Sequence, residues 1–194
     1  KYTADRLRGV KLLKTNSNAA ETTSDPTFDY MNGVIDGTVQ VSSIQGWMWR
    51  RASGYFDVVA YTGNGTAGRT VDHNLGVAPE MMWFKCRSDV DIWTVYHSAL
   101  GEGKRLKLNA NTAAEDDTSS FNNTAPTSSV FSIGTVNQIN ASGSTYIAYL
   151  FASVDGISKV GSFSHTNGSD TNVDCGFSNG ARFILYKRSD GSHR

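Results

Sequence analysis

The chain states one passage twice. Residues 54–89 (GYFDVVAYTGNGTAGRTVDHNLGVAPEMMWFKCRSD) return as residues 156–190 (GISKVGSFSHTNGSDTNVDCGFSNGARFILYKRSD). Gly54 and Gly156, Val58 and Val160, Tyr61 and Phe163, Val71 and Val173, Asp72 and Asp174, Leu75 and Phe177, and Lys85 and Lys187 pair at a constant spacing of 102 residues. Asn64-Gly65 pairs with Asn167-Gly168 one residue later. The remaining stretches also match each other: Ala19-Ala20-Glu21 with Ala113-Ala114-Glu115, Pro26-Thr27 with Pro126-Thr127, Gly37-Thr38-Val39 with Gly134-Thr135-Val136, and Trp47-Met48-Trp49 with Tyr149-Leu150-Phe151. The 194 residues therefore hold about two copies of one unit, in phase from Tyr2 and Tyr96, which predicts units at 1–95 and 96–194. A period of roughly a hundred residues favours packed domains over a solenoid, and a unit of that size buries enough surface to fold without staples.

Composition narrows the classes of function. Lys plus Arg equals Asp plus Glu at 18 each, so the chain carries no electrostatic footprint for nucleic acid or for an anionic membrane. No apolar run approaches 18 residues, so no membrane insertion is expected. Cys86 and Cys175 do not occupy matching positions of the two copies, which predicts two separate reduced thiols. The chain starts at Lys1 without Met or a signal-peptide pattern and reads as a stretch of a longer polypeptide.

Strand signals dominate. Val58–Tyr61, Met81–Arg87, Ile92–His97, Thr145–Ser153 and Ala181–Arg188 are short, rich in β-branched and aromatic residues, and bounded by Gly, Asn, Asp or Ser. In Gly46–Arg50, Trp47 and Trp49 share one face and Met48 takes the other, so both faces read as buried between layers. Asn64-Gly65 and Asn167-Gly168 each predict a type I′ hairpin tip. Asp36-Gly37 marks a further turn. These signals predict an all-β fold of two tandem, similar β-sandwich units, Ig-like or jelly-roll-like.

Chemistry-bearing motifs are weak. Gly63–Gly68 satisfies GxGxxG, yet the residues after it have strand character, so no helix N-terminus would hold a pyrophosphate. His73, His97, His165 and His193 lack metal-ligand spacing and default to satisfied or exposed imidazoles. No H-E-x-x-H occurs. Glu80, Glu102, Glu115, Asp116 and Asp117 could supply a hydrolytic carboxylate pair, but a solvated loop face is the better reading. Asp89, Asp91, Asp116 and Asp117 could offer oxygens to Ca²⁺, with no defined calcium loop among them. Trp47, Trp49, Trp83 and Tyr149 read as core, and Trp93 and Tyr96 as packing between units. The expectation is a non-enzyme without cofactor or metal.

The repeated wording itself carries a resemblance. The strings YTGNGTAGRTVDHNLGVAPEMMWFKCRSD, LNANTAAEDD, NTAPTSSVFSIGT, GSTYIAYLFASVDGISKVGSF and DCGFSNGARFILYKRSD resemble a tandem module of virion structural proteins of marine tailed bacteriophages. Residues 1–46 depart most from it. The resemblance implies a particle component, a tail fibre or another surface appendage on the virion, and brings no functional residue with it. The expected role is structural and adhesive: a homo-oligomer bound to other virion proteins whose loops meet a host-surface polysaccharide or receptor. A capsid decoration or tail-assembly protein, and a carbohydrate-binding module, are the alternatives. The candidate contacts are Asp116, Asp117, Asn122 and Asn123, in the loop that is longer in the second copy than in the first.

Overall fold

The structure, a computed structural model, describes residues 1–23, 26–27, 35–36 and 46–191. In chain order its strands are β1 (Tyr2–Thr3), β2 (Lys11–Lys14), β3 (Thr22–Thr23), β4 (Pro26–Thr27), β5 (Ile35–Asp36), β6 (Phe56–Thr62), β7 (Arg69–Asp72), β8 (Met81–Cys86), β9 (Trp93–His97), β10 (Lys104–Lys107), β11 (Glu115–Asp116), β12 (Val130–Ile133) and β13 (Thr145–Phe151). A single turn of helix, α1 (Asn137–Asn140), precedes β13. The fold is all-β.

The most apolar strand is also the most central. Successive side chains of β13 point to opposite faces, and from Tyr146 to Phe151 every one is buried. Only a strand with hydrogen-bonded neighbours on both edges and layers on both faces can carry such a run. β13 accordingly lies between β8 and β6, both antiparallel to it, in a six-stranded sheet of order β11-β10-β9-β8-β13-β6. On one face Ala148 and Leu150 join Phe84, Tyr96, Phe121, Phe131 and Ile139. That face is covered by the β7–β12 pair, by α1 and by the loop carrying Phe121. On the other face Ile147, Tyr149 and Phe151 join Phe56, Val58 and Trp93, under Leu13 of the small sheet β1-β2-β3. Each fully buried large side chain is worth about 1.5–3 kcal/mol, so these two clusters are the principal source of stability.

The passage 54–89 contributes β6, β7 and β8, and none of these pairs with another. β6 pairs with β13, β7 with β12, and β8 with β9 and β13. Every ladder of this passage is therefore completed by residues 93–151. β9, β10 and β11 do pair in sequence, and β1, β2 and β3 do the same. Both pairs are antiparallel: Lys11 lies opposite Thr23 and Leu12 opposite Thr22, and Lys104 lies opposite Asp116 and Arg105 opposite Glu115. A second matched piece is a tight turn closed by a β-bridge, Ala52 to Phe56 in one place and Val154 to Ser158 in the other.

Several expectations need correction. The strand expected at Ala181–Arg188 is absent: residues 159–190 form no strand, and Ile184 and Tyr186 are 69% and 75% exposed. Trp47 and Trp49, expected in a core strand, lie in irregular chain at 58% and 37% exposure. Both segments have strand composition, but a strand needs a partner, and here no ladder reaches them. Asn64-Gly65 joins no hairpin, because β6 and β7 lie in different sheets, and of the two residues only Gly65 has positive φ. Asn167-Gly168 is likewise not type I′. It turns with Ser169 N–H donating to the Thr166 carbonyl and with positive φ at Gly168 alone, the pattern of a type II turn. The seam expected between Val95 and Tyr96 falls inside β9, and the six-stranded sheet runs through it. Gly37 lies outside the described residues.

Candidate functional site

The loop between β11 and β12 crosses the face built on Phe84 and Tyr96, and it is held by what it buries. Phe121 enters the core, with its ring 5.3 Å from Tyr96 and 5.9 Å from Phe84. Asp117 folds the approach: its carboxylate accepts from the N–H groups of Ser119 (3.0 Å) and Ser120 (2.9 Å) and from the Ser120 hydroxyl, and pairs with Arg105 at 3.0 Å. Asn122 and Asn123 then reverse the chain with φ of 52° and 45°, closed by Thr124 N–H on the Phe121 carbonyl at 3.1 Å. This is the type I′ conformation, which Asn tolerates better than other residues with a Cβ.

Neighbouring loops are fixed against it. Asn122 packs beside Gly68 and Asn123 beside Gly103. The loop 63–68 is anchored by Asn140, a fully buried residue of α1. Its side-chain amide donates to the carbonyls of Thr66 (3.0 Å) and Gly134 (2.6 Å), and its oxygen accepts from Asn64 N–H (3.0 Å). A Cβ at Gly63 would collide with the Ala141 carbonyl oxygen, so the glycine of the GxGxxG string serves close backbone approach rather than phosphate. Tyr146 donates to the Asn137 carbonyl at 2.6 Å and accepts from Ala141 N–H at 2.8 Å, and burial pushes its hydroxyl up to about 12. The result is a polar surface with little freedom to move.

The four candidate residues do not share one role. Asp116 is exposed and paired with Lys104 at 2.6 Å, and that hydrogen bond holds its carboxyl below the usual range. Asp117 is mostly buried and spent on the loop's own fold. Asn123 is exposed and Asn122 half-buried, the latter against Gly68 of the loop that also carries the exposed Asn64 and Thr66. Asp89 and Asp91 belong to the turn at the start of β9, whereas Asp116 and Lys104 lie at its His97 end, about a strand length or ~13 Å away. They bring no common ion site together, and no group of three metal-ligating side chains occurs among the described residues. Among those residues no helix is long and apolar enough to cross a membrane. Cys86 is buried and Cys175 half-buried, both as free thiols.

Asn140 was not legible as an anchor, since nothing in its spacing distinguishes it from the other Asn residues. His73 is a satisfied core imidazole: its Nδ1 accepts from Leu75 N–H and its Nε2 donates to the Thr127 carbonyl, each at 3.2 Å. Burial lowers its pKa below the ordinary 6.5. The unfolded chain therefore takes up the proton first as pH falls, so this contribution to stability is complete above about 6.5 and is lost on going down through the folded-state value. Thermal melts at pH 7.5 and 5.0 should show a loss for the native chain that His73→Gln reduces; an equal loss in both would reject this assignment.

No curated protein and no solved structure matches the chain. A family model described as a domain of unknown function, DUF7483, matches residues 31–194 and so takes in the six-stranded sheet, the loops over it and the C-terminal repeat. The chain belongs to the DUF7483 family.

Proposed function

We propose that the chain is a structural module of a bacteriophage particle, in a tail fibre or another appendage, whose loops contribute to host-surface attachment. The observation that carries this reading is the surface of Asn64, Thr66, Asp116 and Asn123 on a scaffold fixed from beneath by Asn140, Asp117 and Phe121. Amide and hydroxyl groups held rigid suit the hydroxyl-rich face of a polysaccharide, because little entropy remains to be lost on binding. Zero net charge fits recognition by hydrogen bonding rather than by long-range steering. The assembly role, with these loops against other virion subunits, draws support from the exposed Ile184 and Tyr186.

The test is retention of the purified chain on whole marine bacterial cells and on their extracted surface polysaccharides. Asp116→Ala combined with Asn122→Gly and Asn123→Gly should reduce retention at least about tenfold, equivalent to about 1.4 kcal/mol. Glycine keeps the positive φ of the turn, and Asp117 is left in place, so the melting temperature should stay within about 2 °C. Undiminished retention moves the reading to assembly. Cleavage of the glycan by clean protein would sink the non-enzymatic reading.

A further inference from the structure

The strands of residues 54–89 depend on residues 93–151 for every ladder they form. Residues 156–190 repeat that passage, and in this structure they form no strand; their ties to the rest of the chain include Ala114 N–H on the Ser189 carbonyl at 2.8 Å and the Lys187 ammonium on the Ala110 carbonyl at 2.7 Å. Phe163, Ile184 and Tyr186 are exposed, whereas the corresponding region of the first passage packs Tyr61 and Phe84 into the core. The complementary set is carried at the other end of the chain. β2 and β3 pair antiparallel as β10 and β11 do, and Trp47-Met48-Trp49 corresponds to Tyr149-Leu150-Phe151 of β13. That segment too is without a ladder, because a β13 strand must be flanked by a β6 and a β8.

We propose that the two sets complete each other between copies: residues 156–190 of one chain pair with the Trp47–Trp49 segment and the β1-β2-β3 sheet of a second chain, joining copies head to tail. The side chains already select each other. Phe183 lies 5.1 Å from Trp47 and 5.5 Å from Trp49, ring centroid to centroid. At the spacing of the repeat, Phe183 and Trp49 stand where Met81 and Phe151 lie opposite one another in the β8–β13 ladder. Within one chain this contact stops at the rings and no ladder forms. Both segments also leave the central sheet at one point, where Phe56 lies opposite Phe151, while Leu13 and Arg8 hold the small sheet against that same sheet. A second copy brings the missing strands without those tethers. The contact joins two different patches, so it leaves one of each free on every dimer and extends into a linear array. The inference does not depend on the adhesive reading.

The test uses the full chain in analytical ultracentrifugation over a wide concentration range. The native chain should form species of increasing integer mass, with a gain of strand signal in circular dichroism. Ile184→Asp with Tyr186→Asp breaks one side, and Trp47→Asp with Met48→Asp breaks the other. Each double variant alone should remain monomeric with the melting of the central sheet unchanged, because the altered residues are exposed. Mixed in equal amounts, the two should give a dimer that grows no further, since each broken end caps it. A native chain that is monomeric throughout, a single variant that still assembles, or a mixture that stays monomeric would overturn the proposal.

Discussion

Gly134→Ala should cost on the order of 3 kcal/mol, the upper end for overpacking against atoms that cannot retreat. A Cβ at Gly134 would collide with the Ser119 carbonyl oxygen. Neither side can yield. The Gly134 N–H donates to the Ser120 carbonyl at 2.8 Å, its own carbonyl accepts from Asn140 at 2.6 Å, and the Ser119–Ser120 backbone is fixed by Asp117. Relief of the clash would break this network and withdraw Phe121 from its place between Phe84 and Tyr96. At about 2–4 °C per kcal/mol for a chain of this length, the melting temperature should fall by roughly 6–12 °C. Gly161→Ala is the control, because a Cβ there meets nothing within 4 Å and its φ is not positive. A melting temperature for Gly134→Ala within about 2 °C of the native value would reject the close approach.

Strand composition and strand formation part company in this chain, for a reason visible in its topology. Thr145–Phe151, Met81–Cys86 and Trp93–His97 were legible because each combines β-branched or aromatic residues with turn residues at its ends, and each finds its partners. Ala181–Arg188 and Trp47–Trp49 carry the same signals and form no strand, since propensity states only that a segment fits a sheet and not that one is present. The repeat was legible as words, and its matched pieces survive where pairing is local, in β2 with β3 and in the Ala52–Phe56 turn. It disappears where pairing is distant.

The candidate loop was located by its length difference, but the work of its residues was not legible. Asp116 and Asp117 are adjacent and chemically identical. One faces solvent beside Lys104, and the other is turned in by the N–H groups of the residues that follow it. The type I′ turn was expected at Asn64-Gly65 from the commonest dipeptide signal and occurs at Asn122-Asn123. The backbone of Asn64 is claimed instead by Asn140, 76 residues away in the sequence. Contacts of that range leave no local mark.

Arg8→Ala should release the small sheet β1-β2-β3 from the central one, at a cost of about 3–5 kcal/mol, as expected when one partner leaves a buried ionic network. The Arg8 side chain is fully buried, and its guanidinium donates to Asp5 at 2.5 Å, to the Thr3 carbonyl at 3.1 Å and to the Tyr149 hydroxyl at 2.8 Å, with Glu21 at 3.5 Å. Burial opposes its charge, yet Tyr149, Asp5 and Glu21 together raise its pKa, so it stays protonated at any working pH. Burial likewise pushes the Tyr149 hydroxyl up, which keeps it a neutral link that donates to Asp5 at 2.7 Å. Without Arg8 the Asp5 carboxylate loses that ion pair, while Glu21 keeps Arg87 at 3.0 Å. Arg8→Lys should recover little, because a point charge cannot reach four acceptors in the planar geometry of the fork. Arg8→Met with Asp5→Asn and Glu21→Gln removes charge from both sides and should recover much of the loss. Amide exchange is the measurement that separates undocking from global unfolding. In Arg8→Ala the amides of Leu12 and Leu13 should exchange at least about a hundredfold faster, about 2.7 kcal/mol, while those of β13 stay protected by ladders on both edges. Unchanged protection at Leu13 would show that its own burial against Trp93, with the Trp93 indole N–H on the Lys14 carbonyl at 2.9 Å, suffices to hold the sheet.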